Sequence, residues 1–172
     1  HELICTSDKT ADLETTEIWR TTLPTEDELT GILAEDILIV AKSQLGYQES
    51  TRNFELTDDG IRKGYSRYGQ WYGSPYEDWC AMYASFCLHY AGIPQDAIPY
   101  EASCQNWVDK LTELEIYYSA QDYSPKPGDI IFFGNAENVA HHVGFVTEVL
   151  EAEIKTIEGD HAADVAEYAY ER

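Results

Sequence analysis

The residue most open to chemistry is Cys80, which follows a glycine-rich stretch and stands where a helical pattern begins, Trp79-Cys-Ala-Met-Tyr-Ala-Ser-Phe-Cys87. First-turn amides of a helix are unpaired and electropositive, so a thiol there is biased toward thiolate, the form that attacks a carbonyl carbon. The bias is limited. A helix terminus supplies up to about 2 kcal/mol, about 1.5 pKa units, whereas bringing a thiol from ~8.5 to ~4 takes about 6 kcal/mol. Glu77 and Asp78, directly ahead of the thiol, oppose ionisation if they face it. An imidazolium is therefore needed, and His142 is the candidate. It opens an alternating stretch, His142-Val-Gly-Phe-Val-Thr-Glu-Val149, in which Gly144 shares its face and leaves room for the sheet to approach the Cys80 helix, while His141 points the other way. With a turn near Leu150, even-numbered residues of the next extended segment share that face, which brings Glu158 or Asp160 beside the ring. A carboxylate there fixes the tautomer and stabilises the charged imidazole. Cys80, His142 and Glu158 form the candidate catalytic set, with Asp160 as the alternative carboxylate.

The elements that must hold these groups follow from periodicity. Leu33, Ile37, Val40, Ala41 and Gln44 fall at helical spacing before Gly46, which predicts a helix over about 31–45. A second helix is predicted from about Trp79 to Ala91, with Cys80, Ala84, Cys87 and Ala91 on one stripe, and a third from about Ser103 to Leu114 with Cys104, Trp107, Val108, Leu111 and Leu114 on its apolar face. Between the first two, residues 47–78 read as a long ordered loop. Its Tyr65, Tyr68, Trp71, Tyr72 and Tyr76 either wall a site or pack the loop down. Beyond Pro125 and Pro127 the pattern turns extended, with strands at 129–133, 142–149 and 154–158 and a further one at 165–170. Helices first and antiparallel strands after imply an α+β fold with the helices packed on the sheet.

Composition narrows the function classes. The 172 residues suit one domain plus a tail, and 11 basic against 32 acidic side chains give a net charge of −21. Such a field repels phosphate backbones and anionic headgroups, so nucleic-acid and membrane-surface binding are excluded, and no apolar run is long enough for membrane insertion. Residues 1–30 carry Glu2, Asp8, Asp12, Glu14, Glu17, Glu26, Asp27 and Glu28 against Lys9 and Arg20, and read as an acidic linker or loosely held arm of a longer protein. Residues 31–172 form the folded domain. Four cysteines without a CxxC pair fit neither a disulfide scaffold nor a zinc site. Cys87 and Cys104 read as core packing, His89 and His161 as surface or partly packed side chains, and Asp58-Asp-Gly60 as a turn rather than a calcium loop. Adjacent His141 and His142 point oppositely on a strand and do not share a metal; no metal or cofactor is expected.

Four ordered stretches, Asp78-Trp-Cys-Ala-Met-Tyr-Ala-Ser-Phe-Cys87, Pro127-Gly-Asp-Ile-Ile-Phe-Phe133, His142-Val-Gly-Phe-Val146 and Thr156-Ile-Glu-Gly159, resemble in order and spacing the CHAP family of cysteine, histidine-dependent amidohydrolases/peptidases, grouped with the NlpC/P60 papain-like hydrolases. The resemblance spans about residues 31–172 and implies a papain-like fold, with Cys80 attacking an amide of the peptidoglycan stem peptide or cross-bridge, His142 as general base and acid, and Glu158 orienting it. It further implies a muropeptide substrate, an acyl-enzyme, a secreted or cell-surface location in a bacterium, and tethering to upstream wall-binding domains, the signal peptide lying upstream. Family members often carry Glu-Gly-Asn where this chain has Glu158-Gly159-Asp160, and no Gln precedes Cys80, which leaves the Cys80 N–H as oxyanion donor with Tyr47 as a second candidate. The opening His1-Glu-Leu-Ile-Cys5 is similar to the end of Cys/His repeats of some bacterial surface proteins. The alternative is a catalytically silent wall-binding or adhesion module whose acidic surroundings keep the thiol protonated. Gram-positive walls are polyanionic too, so the resemblance predicts that wall clearing rises with moderate salt, as repulsion is screened over ~8 Å; a monotonic fall on adding salt would contradict it.

Overall fold

The computed structural model describes residues 9–172, so the His1 to Cys5 motif lies outside the described residues. The fold is α+β, a papain-like arrangement with the helices early and the main sheet late. Helices α1 (Thr16–Arg20), α2 (Leu33–Ser43), α3 (Arg67–Tyr72), α4 (Cys80–Tyr90) and α5 (Cys104–Glu113) are joined by a short hairpin, β1 (Phe54–Leu56) with β2 (Arg62–Gly64), that lies between α2 and α3. Strands β3 (Ile130–Gly134), β4 (Ala140–Val149), β5 (Glu153–Gly159) and β6 (Val165–Glu171) close the chain as a four-stranded antiparallel sheet in sequential order.

Helix α4 is the centre of the core. Every residue from Ala81 to Leu88 is buried, because α2 and α3 cover part of its surface and β4 and β5 another part. The single stripe expected from the sequence is therefore too narrow: the helix is apolar all round, as core helices are. Its approach to the sheet depends on Gly159, where a Cβ would fall 2.7 Å from the Tyr83 ring. Tyr83 in turn donates its hydroxyl to the Ala41 carbonyl at 3.0 Å, which ties α4 to α2. Helix α2 lacks a capping side chain at its own N-cap, and the buried Asp36 carboxylate reaches back to accept from the Thr30 and Gly31 N–H groups at 2.7 and 3.0 Å.

The described part of the stretch read as a loose arm is a packed strap. Trp19 is 4% exposed, meets Phe86 edge-on and donates its indole N–H to the Tyr90 hydroxyl at 2.9 Å. Glu14 binds Arg67 through two hydrogen bonds of 2.7 and 2.8 Å, and the same guanidinium donates to Gln44 at 3.0 Å and lies 4.4 Å over the Tyr47 ring. The acidic count suggested a solvated segment, yet one of those acids has a buried cation 53 residues away, a pairing that no local pattern signals. The 47–78 region is also more regular than a loop, with the β1–β2 hairpin turning at Asp58–Gly60 and with α3. Most of its rings pack the region down: Tyr65 and Tyr68 are fully buried and Tyr76 donates its hydroxyl to Asn53 at 2.8 Å, whereas Tyr72 is exposed.

Removing one partner of a buried bidentate pair leaves the other charge uncompensated, so Glu14→Ala is expected to lower unfolding stability by about 3 kcal/mol in urea titration. Lys9→Ala, which removes an exposed pair with Glu55, should leave the urea midpoint close to that of the native protein. Equal small losses in both variants would show that the strap is not part of the folded unit.

Candidate active site

Cys80 is the first residue of α4, and the N-cap residue Trp79 supplies no capping side chain, which leaves the first-turn amides to face a developing negative charge. Asp78 does not face the thiol; its carboxylate is exposed and paired with Lys63 at 2.6 Å. The Cys80 sulfur has two neighbours. One is the Cys104 sulfur at 3.6 Å, and the other is His142 near the start of β4, close enough to act on the thiol electrostatically. The bond with Cys104 and burial push the Cys80 thiol up, and His142 pulls it down. The shared proton draws Cys104 down. A single S–H···S⁻ bond favours whichever sulfur accepts it; an imidazolium at Cys80 favours charge on that sulfur, with Cys104 donating.

His142 is held from its other side. Its Nε2 lies 2.7 Å from Glu158 Oε1. In the β4–β5 register Glu158 is opposite Gly144, not His142, and its side chain reaches two residues along the neighbouring strand. Gly144 makes this possible: a Cβ there would sit 2.5 Å from Glu158 Cγ. The bare position thus makes room for the carboxylate and not, as the sequence suggested, for the α4 helix, whose clearance comes from Gly159. A bulge between Val146 and Glu148 sets this register. The Glu158 carboxylate is fully buried and accepts from Thr156, from His161 Nδ1 at 3.1 Å and from the Tyr170 hydroxyl at 2.8 Å as well as from His142. Burial alone would raise its pKa, but these four donors hold it below the usual carboxylate range. Burial lowers His142, whereas its interactions with Cys80 and Glu158 outweigh that and raise it to about 9.

Asp160, the alternative carboxylate, goes elsewhere. Strand β5 ends at Gly159, and Asp160 turns into a left-handed conformation (φ 57°) that directs its carboxylate to the Trp79 N–H, 2.9 Å away at the start of α4. Burial raises its pKa to about 7; the Trp79 N–H opposes that, and Glu49 and Asp78 add to it.

His142, Glu158 and His161 offer three metal-ligand atoms close together. Their contacts of 2.7 and 3.1 Å are hydrogen-bond distances, and Glu158 already has donors on both oxygens, which suits a hydrogen-bonded carboxylate better than a zinc ligand at ~2.1 Å. Tyr47 is not directed to the thiol. Its hydroxyl accepts from the Arg67 N–H at 2.8 Å and its ring packs edge-on against Tyr68 and Trp79. Two neighbours escaped the sequence reading. Cys104 is buried as expected, yet its sulfur faces Cys80; His161, read as an ordinary surface side chain, stacks on Tyr168 at 4.2 Å and joins the Glu158 cluster. His89 packs against Trp71 and Tyr100 away from these groups.

The CHAP domain family matches residues 70–160, a segment that contains Cys80, His142 and Glu158. The chain belongs to the CHAP family. CHAP domains are amidase and peptidase hydrolases that act on cell-wall peptidoglycan. No curated protein and no solved structure matches the chain. Among the described residues of this CHAP domain no helix is long and apolar enough to cross a membrane.

The Asp160 shift gives a stability signature. Its folded pKa of about 7 lies above the unfolded value of 3.8, so the folded state holds an extra proton between those values. The associated stability is present below about pH 4 and lost as pH rises through 7, on the order of 2 kcal/mol after solvent screening. Asp160→Asn keeps an oxygen for the Trp79 N–H and is expected to flatten the fall of melting temperature between pH 4 and 7; an unchanged slope would contradict the assignment.

Proposed function

We propose that this CHAP domain hydrolyses an amide bond of peptidoglycan, in the stem peptide or the cross-bridge, with Cys80 as nucleophile, His142 as general base and acid, and Glu158 as the group that orients the imidazole. The observation that carries this reading is the position of His142, 2.7 Å from a buried carboxylate on one side and near enough to Cys80 on the other to pull its thiol toward the thiolate. With the thiol proton already resting on His142, the Cys80 thiolate attacks the amide carbon while the carbonyl oxygen becomes an oxyanion facing the Cys80 N–H. The imidazolium then passes its proton to the departing nitrogen as the C–N bond breaks, leaving a thioester. Water, deprotonated by His142, attacks that thioester, and the C–S bond breaks to release a carboxylic acid and regenerate the thiol. Glu158 stabilises the imidazolium through both halves and keeps the ring facing the sulfur.

On this reading residues 31–172 are the catalytic unit, the 9–30 strap is packed on it, and the domain acts outside the cell, directed to the wall by domains beyond this chain. A silent wall-binding module is the second reading, favoured by the burial and the Cys104 contact that raise the Cys80 thiol. Alkylation separates the two. The enzyme reading expects iodoacetamide to label Cys80 selectively below pH 7, and an ordinary thiol profile would favour the silent module.

Purified cell walls should clear with the native protein and not with Cys80→Ala, a loss of at least ~10³-fold in rate; equal clearing would end the hydrolase reading. The His142 pKa of about 9 places the alkaline limb of activity there, because the imidazolium that protonates the leaving nitrogen is lost above it. Glu158→Gln should move that limb toward the ordinary histidine range, and mass spectrometry of the released muropeptides identifies the bond.

A further inference from the structure

We propose that Cys80 and Cys104 are a reversible dithiol–disulfide pair, a covalent modification site that withdraws the Cys80 sulfur from nucleophilic chemistry when a peroxide reaches it. This goes beyond the hydrolase reading and stands whether or not walls are cleaved. The two sulfurs are 3.6 Å apart, and each belongs to the first residue of its helix, so two electropositive helix starts converge on the pair. The spacing is built in. Ser85 on α4 donates its hydroxyl to the Glu101 carbonyl and accepts the Glu101 N–H, both at 2.9 Å, which fastens the segment leading to Cys104 onto the helix that carries Cys80. The Glu101 side chain braces the same segment, accepting from the Ala102 N–H at 3.0 Å and from Lys110 at 2.6 Å, and the Ser103 hydroxyl caps α5 directly ahead of Cys104. A disulfide needs the sulfurs to close to about 2.05 Å, a movement of about 1.5 Å that two side-chain rotations can share. Cys87, further along α4, is fully buried and contacts Tyr83, so it does not compete.

The chemistry balances with a peroxide as oxidant. Cys80 thiolate attacks one peroxide oxygen; the S–O bond forms, the O–O bond breaks, and hydroxide leaves to take a proton. The resulting sulfenic acid is attacked by Cys104; the S–S bond forms, the S–O bond breaks, and a second water departs with the Cys104 proton. Two thiols lose two electrons and two protons, and the peroxide becomes two waters. An added dithiol reverses the step by exchange. Without Cys104 the sulfenic acid has no adjacent thiol and proceeds to sulfinic acid, which does not return.

The test is a peptide map of the full chain after hydrogen peroxide, set beside Cys104→Ser. The wild type is expected to yield a Cys80–Cys104 linked peptide, a mass loss of two hydrogens, and full return of iodoacetamide-reactive Cys80 after dithiothreitol. Cys104→Ser is expected to give dimedone-trapped sulfenic acid at Cys80 and then sulfinic acid that dithiothreitol does not recover. Overoxidation of Cys80 in the wild type as fast as in Cys104→Ser, without a linked peptide, would overturn the proposal. So would linkage of Cys80 to Cys5. If Cys104→Ser fails to fold, the wild-type map decides alone.

Discussion

A carboxylate buried to zero exposure organises one end of this molecule. Taking an ionised Glu158 out of water costs several kcal/mol unless its oxygens are satisfied, and four side chains on or next to β4, β5 and β6 converge to satisfy it. Once that charge is in place its partners lose their freedom. His142 cannot turn away from Glu158 without breaking a charge-assisted bond, and the ring is therefore held near Cys80 at the start of α4. Together with Cys80, the same carboxylate that would be a liability in an apolar core raises the imidazole above its ordinary range.

Two bare positions allow this arrangement, and they act at different interfaces. Gly144 opens the space through which the Glu158 side chain crosses to the neighbouring strand, and Gly159 lets the end of β5 lie against Tyr83 on α4. The first sets the carboxylate against the imidazole and the second sets the sheet against the helix that carries the thiol. A methyl group at either would have to displace buried atoms that have no empty space to enter. The distant strap contributes differently: through Trp19 and the Glu14–Arg67 pair it covers the face of α4 and α3 that points away from the sheet, so the central helix is enclosed over its whole circumference.

Much of this was legible in the chain. Helical spacing located α2, α4 and α5, the change to alternation located all four strands of the main sheet, and the position of Cys80 at a helix start with His142 at a strand start followed from physical requirements on a thiolate. What was hidden is non-local. Glu14 reads as one more solvated acid until Arg67 is folded against it, Cys104 reads as a small apolar residue until α5 is placed beside α4, and Tyr65 and Tyr68 read as loop aromatics until their burial is seen. The choice between Glu158 and Asp160 hung on a strand register that a bulge shifts, and no pattern in the sequence marks that bulge. His161 and Tyr170 joined the cluster through the β5–β6 turn and pairing, which periodicity alone does not aim.

The central claim is electrostatic: His142 is cationic in the resting protein because Cys80 and Glu158 flank it. Titration of histidine-labelled protein by heteronuclear magnetic resonance reads this directly. His142 is expected to titrate near pH 9. A ring that titrates at or below the ordinary value of about 6.5, as a buried imidazole without charged partners does, would contradict it.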